Sequence, residues 1–398
     1  MGRIVHFGLG NFARAHLLDY TADAGGWDVV GVSLRSDKIR DGLRAQGFAY
    51  GLAVQGVGLK HIDILREVLV APEDPSAVLA AMTRADIISA SVTEKGYHLG
   101  ADGLLDLSNS SIQEDLSGTG PNTLIGFLAI HLSTRQTPLT VMSCDNRVEN
   151  GSVLKAAVQR FAESAQIAIN WALVSFPNAM VDRITPATTD ELRTKHSDPM
   201  VVPTEAFREW VIEDNFKGPR PNWPDVQIVS DVAPHELRKL RMLNGAHSAL
   251  AYAGLLRGHK FVHQAIADPD LRKLAVQLMS EAGAILPKNE RVLVPAYSQA
   301  LIERFENPEL AHRLDQIAMD GSQKVPYRFA QTLRAGSAPS VATALDAWLE
   351  FCICETQAGR RLNDTRVDDI VQAARTSSPK TAILALINCA DLVQFISE

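Results

Sequence analysis

Ile4-Val5-His6-Phe7-Gly8-Leu9-Gly10-Asn11-Phe12-Ala13 is the stretch that decides the fold of this chain. Arg3 to Phe7 reads as a short buried strand, and from Phe12 to Ala22 apolar residues recur at helical spacing. The glycines between them match G-x-G-x-x-A, a variant of the dinucleotide fingerprint. Gly8 permits the tight turn, Gly10 lets the backbone approach a pyrophosphate, and Ala13 lets the helix pack closely on the strand. A diphosphate then rests on free N–H groups at the helix start. Asn11, Phe12 and Arg14 complete the cofactor-facing turn. Gly56-Val57-Gly58 has no helix pattern after it and receives no role.

Outward from this unit, short apolar runs alternate with helical patterns. Strands are expected at Ile4 to Gly8, Val29 to Leu34, Ile87 to Val92, Leu139 to Ser143 and Ala172 to Phe176. Amphipathic segments such as Phe12 to Ala22 and Thr123 to Ser133 lie between them, which predicts a parallel, doubly wound sheet. Tyr50 to Val70 reads as a small inserted hairpin. From Pro234 the strand signal fades and helical periodicity dominates, through Leu237 to Leu256, Asp270 to Ala284, Val294 to Phe305, Ala342 to Ile353 and Pro379 to Phe395. The chain is therefore α/β, with a dinucleotide-binding domain over residues 1–230 and a mainly α-helical substrate-binding and catalytic domain over 231–398. Asp37, just past the second strand, is placed to accept from a ribose 2′-hydroxyl or to be a plain loop carboxylate. Arg35, Lys38 and Arg40 beside it suit a 2′-phosphate, so NAD is expected and NADP is not excluded. Glu94, with Lys95-Gly96-Tyr97, follows a strand end near the expected cofactor.

The chain has 398 residues, 46% hydrophobic and 21% charged, in the range of a soluble globular protein. Its net charge of -7 and the lack of a basic run argue against nucleic acid and anionic membranes as partners. No apolar run reaches spanning length and no signal peptide is read, so a cytoplasmic location is expected. Cys144, Cys352, Cys354 and Cys389 form no metal-ligand spacing and read as reduced thiols. His259 and His263 have helical spacing, but neighbouring cations make them a surface pair, and no metal is expected.

The second signal is Glu236-x2-Lys239-x4-Asn244-x2-His247. On an α-helix these side chains fall within an arc of roughly 140°. Taken singly, each has an ordinary reading: a solvated lysine, a local cap, a structural histidine, a surface ion pair. Together, interleaved with Leu240 and Leu243, they read as a chemical face. A buried lysine loses its charge readily and is then able to take a hydroxyl proton, while an amide holds the oxygen in both its states.

These residues carry a resemblance. Val5 to His16, Thr93-Glu94-Lys95-Gly96-Tyr97, Ser143-Cys144-Asp145-Asn146, Phe176 to Pro186, the Lys239/Asn244/His247 element and Asp320-Gly321-Ser322-Gln323-Lys324 occur in this order. The chain resembles the polyol-specific long-chain dehydrogenases, the family of mannitol 2-dehydrogenase, mannitol-1-phosphate dehydrogenase and the fructuronate and tagaturonate reductases. The resemblance implies a Rossmann-type N-terminal domain, a helical C-terminal domain and metal-independent hydride transfer. It implies Lys239 as general acid–base, Asn146 and Asn244 as the oxyanion pocket, and His247 on a substrate hydroxyl. Val181, Asp182 and Lys324 would contact the rest of the substrate, and Glu236 would pass the lysine's proton to solvent. In the better-known mannitol 2-dehydrogenases a substrate-contacting arginine precedes the Lys324 position by eight residues; here Gln316 stands there, with Arg313 one turn earlier.

Three functions compete. The first is oxidation of an acyclic polyol (hexitol or pentitol) to a ketose. The second is reduction of a keto sugar acid of the fructuronate or tagaturonate type, whose carboxylate needs a cation such as Arg313, Arg328 or Arg334. The third is a nucleotide-binding sensor without turnover, against which the intact Lys239, Asn244, His247 and Asn146 argue. Oligomeric state is not readable.

Overall fold

A computed structural model of the chain describes residues 1–100 and 102–397; the end of the expected second domain, Glu398, lies outside them. Residues pack into two units, Met1–Ala233 and Pro234–Glu398.

The strands of the first unit are, in chain order, β1 (Gly2–Phe7), β2 (Trp27–Ser33), β3 (Tyr50–Val54), β4 (Gly58–Ile62), β5 (Leu65–Val70), β6 (Ile87–Ala90), β7 (Leu139–Ser143), β8 (Val174–Ser175), β9 (Ala179–Asp182), β10 (Val202–Thr204), β11 (Glu209–Glu213) and β12 (Gln227–Val229). The main sheet has the order β5-β2-β1-β6-β7-β8 and is parallel throughout. Both faces are covered, so its central strands are near-continuous buried runs: the last four residues of β1 and all of β7 are buried. The order reverses at β1, flanked by β2 on one side and β6 on the other. In open α/β sheets that switch point is where the strand ends leave a crevice.

Three features depart from the sequence expectation. β3 and β4 do form an antiparallel hairpin, turning at Gln55-Gly56-Val57, but β10 adds to it and β5 leaves it for the edge of the main sheet beside β2. Alternating burial in Leu65–Val70 suits an edge strand of either sheet, so the pattern alone did not separate them. A further three-stranded sheet, β12-β11-β9, was not anticipated; its strands are only three to five residues long. The expected helix over Phe12 to Ala22 is broken into Asn11–Ala15 and Leu17–Ala24 at His16, whose ring stacks on Phe12 at 4.9 Å and meets Tyr20 and Trp210 edge-on.

In the second unit the described residues form helices, with one isolated bridge between Phe261 and Arg313. Gly245–Leu256, Pro269–Ala284 and Pro339–Gln357 pack against one another. Leu250, Tyr252, Leu278, Trp348 and Leu349 are almost fully buried in the core they share. Burying a large apolar side chain contributes roughly 2 kcal/mol. Asp268 starts the second of these helices by accepting from the N–H groups of Asp270 and Leu271, with Pro269 at the first helical position. Among the described residues no helix is long and apolar enough to cross a membrane.

Candidate active site

The fingerprint turn has the backbone its glycines imply. Gly8 sits at φ +88°, and a Cβ there would lie 2.1 Å from the carbonyl oxygen of Ser91. Gly10 is different: its φ of -72° is ordinary, and a Cβ there would meet nothing within 4 Å. The bare edge of Gly10 therefore faces open space. Ala13 is buried. The polar ends of the other turn residues are engaged within the protein. Asn11 donates to Thr188 Oγ1 (3.1 Å), and Arg14 donates to Met200 O (2.6 Å) and Asn11 Oδ1 (2.7 Å). Asp37 is exposed at the start of the helix Lys38–Arg44. Arg40 lies 3.9 Å from it but also pairs with Asp41 (2.8 Å) and Glu73. Glu94 is exposed on the 3-10 turn Glu94–Tyr97, entered through Thr93 at φ 65°.

Two buried side chains fix the ends of β7 and β9. Asp145 accepts from the N–H groups of Val92 (3.2 Å) and Thr93 (2.8 Å) and from the Tyr97 hydroxyl (3.0 Å). Burial holds its carboxyl above the usual carboxylate range against these bonds. The loop after β6 is thereby tied to the segment that carries Asn146. Asn150, fully buried, donates to Ser143 O (3.3 Å), Asp145 O (3.1 Å) and Ala179 O (2.8 Å), and accepts from Ala179 N (2.9 Å). It joins the end of β7 to the start of β9, which carries Val181 and Asp182, both buried. Arg183, next in sequence, forms a buried pair with Asp19 (2.5 Å), to which Lys60 and Arg208 also donate. Burial pushes the Asp19 carboxyl up, but Lys60 and Arg183 outweigh it and hold it below its ordinary value. Through Asp19 the strand bearing Asp182 is anchored to the helix that follows the fingerprint.

The lysine element lies in the second unit. Glu236 and Lys239 are buried, Asn244 is half-buried and His247 is buried. The segment is not one α-helix. Ala233–Arg238 is α, Lys239–Asn244 is π, and Gly245–Leu256 is α again. The arc reckoned at the α-helical step thus fails across the π turn, whose bonds run to the fifth residue. His247 packs on Phe305 at 4.6 Å and meets His312 edge-on at 5.2 Å. Its Nε2 is buried with no hydrogen-bond partner among the described residues. Burial first, then His312, Arg304, Arg328 and Lys239, push its pKa well below 6.5, so the ring is neutral. A neutral imidazole offers one donor and one acceptor, as a hydroxyl ligand requires. Lys324 Nζ donates to Met319 O at 2.6 Å.

The arginines sort clearly. Arg313 is exposed and paired with Asp315, and Gln316 is also exposed. Arg334 is paired with Asp391 at the surface. Arg328 instead donates to Asn244 O (3.2 Å) and Ser248 Oγ (2.6 Å). His312, Asp145 and Asn150 were not singled out from sequence. Asp145 sits inside a quoted motif, whereas His312 and Asn150 have no local signal. Cys144 is buried, and burial pushes its thiol far up, as fits a structural thiol. Among the described residues no group of three or more His, Cys, Asp or Glu is arranged to hold a metal.

The mannitol dehydrogenase Rossmann domain model matches residues 2–225, and the mannitol dehydrogenase C-terminal domain model matches residues 231–394. The chain belongs to the mannitol dehydrogenase family. Within this family of oxidoreductases it is 41% identical to D-mannonate oxidoreductase of Escherichia coli K12 over 88% of this chain and 79% of that one. It is 34% identical to mannitol 2-dehydrogenase of Phaeosphaeria nodorum over 94% of this chain and 73% of that one. Among solved structures it is similar to Pseudomonas fluorescens mannitol 2-dehydrogenase in ternary complex with NAD and D-mannitol. That likeness has a TM-score of 0.83 at 29% identity and covers 99% of this chain and 92% of that one. Family membership thus gives the parallel-sheet nucleotide domain and the helical C-terminal domain their common context.

Proposed function

We propose that the chain is a metal-independent, NAD-dependent oxidoreductase that interconverts an acyclic polyol and a ketose. The observation that carries the reading is a buried lysine, Lys239, on one helical segment, interrupted by a π turn, with Asn244 and a neutral, buried His247, in a member of this family. The open edge at Gly10 and the strained turn at Gly8 fit a dinucleotide, with Ala13, Asp37 and Glu94 around it and Asn11, Phe12 and Arg14 shaping the turn. Arg40 is engaged by two carboxylates, which favours NAD over NADP. When bound, the nicotinamide accepts hydride in oxidation and supplies it in reduction.

Lys239, neutral before oxidation, takes the hydroxyl proton at Nζ; in reduction its ammonium returns that proton to the carbonyl oxygen. Asn146 and Asn244 donate their amide N–H groups to the oxygen as charge develops on it. His247 binds the neighbouring hydroxyl. Asp182 and Lys324 hold more distant hydroxyls, with Val181 lining the apolar wall. Glu236, one helical turn before Lys239, passes the proton outward.

Reduction of a keto sugar acid is the second reading. Lys239, Arg304 and Arg328 give the surroundings of His247 a cationic character suited to a carboxylate, and D-mannonate oxidoreductase is among the relatives.

The test follows absorbance of reduced nicotinamide in both directions, with NAD and NADP separately, against hexitols, pentitols, ketoses and keto-uronates. Turnover of a polyol with NAD, unaffected by chelator, is expected. Lys239→Ala should bind NAD normally and lose turnover. Turnover of a keto acid alone selects the second reading, and NAD binding without any turnover selects a sensor. Activity lost to chelator and restored by metal ends the metal-independent reading.

A further inference from the structure

Among the described residues the helical unit contains two π turns, and each adjoins a residue of the proposed chemistry. One spans Lys239–Asn244, so Lys239 and Asn244 are its first and last residues. The other spans Pro326–Ala330 and begins two residues after Lys324. The two turns pack against each other. The second has a local cause: Pro326 lacks an N–H and its ring crowds the carbonyl four residues back, so an α-helical bond is lost there in any case. The first has no proline or glycine inside it. A π turn in an otherwise α-helical segment is unusual and persists where surrounding contacts determine it.

Arg328 supplies such a contact. It sits in the middle of the second π turn, and Nη1 donates to Asn244 O (3.2 Å), the last carbonyl of the first, and to Ser248 Oγ (2.6 Å), one turn further on. Ser248 is fully buried. Gly245, between them, brings the backbones close: a Cβ there would lie 4.0 Å from Arg328 O and 3.3 Å from Leu278. A reciprocal tie runs the other way. Arg241, inside the first π turn, donates to Gln331 Oε1 (2.8 Å), just past the second.

The geometry matters for chemistry. In an α-helix, residues five apart are separated by roughly 140° about the axis. Bonding to the fifth residue brings such a pair toward the same side of the helix. Lys239 and Asn244 are five apart. We propose that Arg328 is a positioning residue: by bridging the Asn244 carbonyl and the Ser248 hydroxyl it holds the π turn, so that Lys239 and Asn244 present their side chains to one substrate oxygen. The inference rests on the reading of Lys239 and Asn244 given above.

The test compares Arg328→Ala and Arg328→Lys with the wild-type holoenzyme. It uses steady-state kinetics, NAD titration and amide hydrogen exchange of peptides covering 239–248. Arg328→Ala should lower kcat about 100-fold, as an ångström-scale misplacement of reacting groups does. KM for substrate should change less than threefold and NAD affinity less than twofold, with faster exchange in the 239–248 peptides. Arg328→Lys keeps the charge but presents a single ammonium in place of a planar fork; it should recover part of kcat and part of the protection. If Arg328→Ala does not fold, Arg328→Lys alone decides, and wild-type kcat in either variant overturns the inference. Equal losses in kcat, KM and NAD affinity overturn it too, since they mark general disruption. Lys239→Ala in parallel separates the failures: if it stays active, the catalytic reading falls and this inference with it. If it is inactive while Arg328→Ala is fully active, only the positioning role falls.

Discussion

Asn150 shows how much one buried amide carries. Its side chain satisfies three carbonyls and one N–H at the ends of β7 and β9, all on buried residues. Asn150→Ala strands those groups, and an unsatisfied buried polar group costs about 1–3 kcal/mol. Several at once should lower stability by about 3 kcal/mol, read as a lower denaturant midpoint with an unchanged slope. Activity should drop as well, because the Asn146 loop and the Val181–Asp182 strand lose their common tether; a variant with wild-type stability would refute this account. Asn150 was not legible in the sequence. Lys239, Asn244 and His247 stand out in the sequence because their types recur at helical spacing, and the structure carries all three on one helical segment that includes a π turn. Asn150, Asp145 and His312 act through partners 29, 53 and 65 positions away, at Ala179, Val92 and His247, and no local pattern records such a pairing.

At the scale of elements, periodicity located the parallel strands β1, β2, β6, β7 and β8 and the long helices, since burial on both faces or along one stripe leaves a direct imprint, but not the place of β5. It did not reveal β9, β11 and β12, nor the π turn Lys239–Asn244, whose composition is that of an α-helix. The strand–turn–helix unit at the N-terminus allows a paired prediction. Gly8→Ala must place a methyl against the Ser91 carbonyl at a φ that L-residues rarely adopt, so β1 and β6 have to separate. It should lower the melting temperature and abolish NAD binding. Gly10→Ala has room and an ordinary φ, so it should melt like wild type, yet its methyl occupies the space a diphosphate needs. Thermal melting beside NAD titration distinguishes the two. A Gly10→Ala protein with full NAD affinity would show that the cofactor does not approach that edge.

At the scale of the molecule, buried histidines couple folding to pH. His6 and His131 in the first unit and His312 in the second have pKa values lowered to about 4, burial being the main cause; His247 is lower than ordinary as well. In the unfolded chain each returns to about 6.5. Between pH 6.5 and 4 the unfolded state therefore binds more protons, and stability falls as pH falls. Each fully buried histidine contributes up to about 1.4 kcal/mol per pH unit in that window. Asp145 works in the opposite sense, since its folded carboxyl takes a proton more readily than the unfolded one, and it offsets part of the loss at the acidic end. Four of the five tryptophans, Trp27, Trp171, Trp210 and Trp223, lie in the first unit, so tryptophan fluorescence during urea unfolding reports chiefly on that unit. Its midpoint should be constant above pH 7 and decline steadily from 6.5 to 4.5. His131→Gln removes one of the titrating histidines there and should flatten the decline. A midpoint independent of pH across that window would mean that the His6 and His131 rings take up protons in the folded protein, and would refute this account.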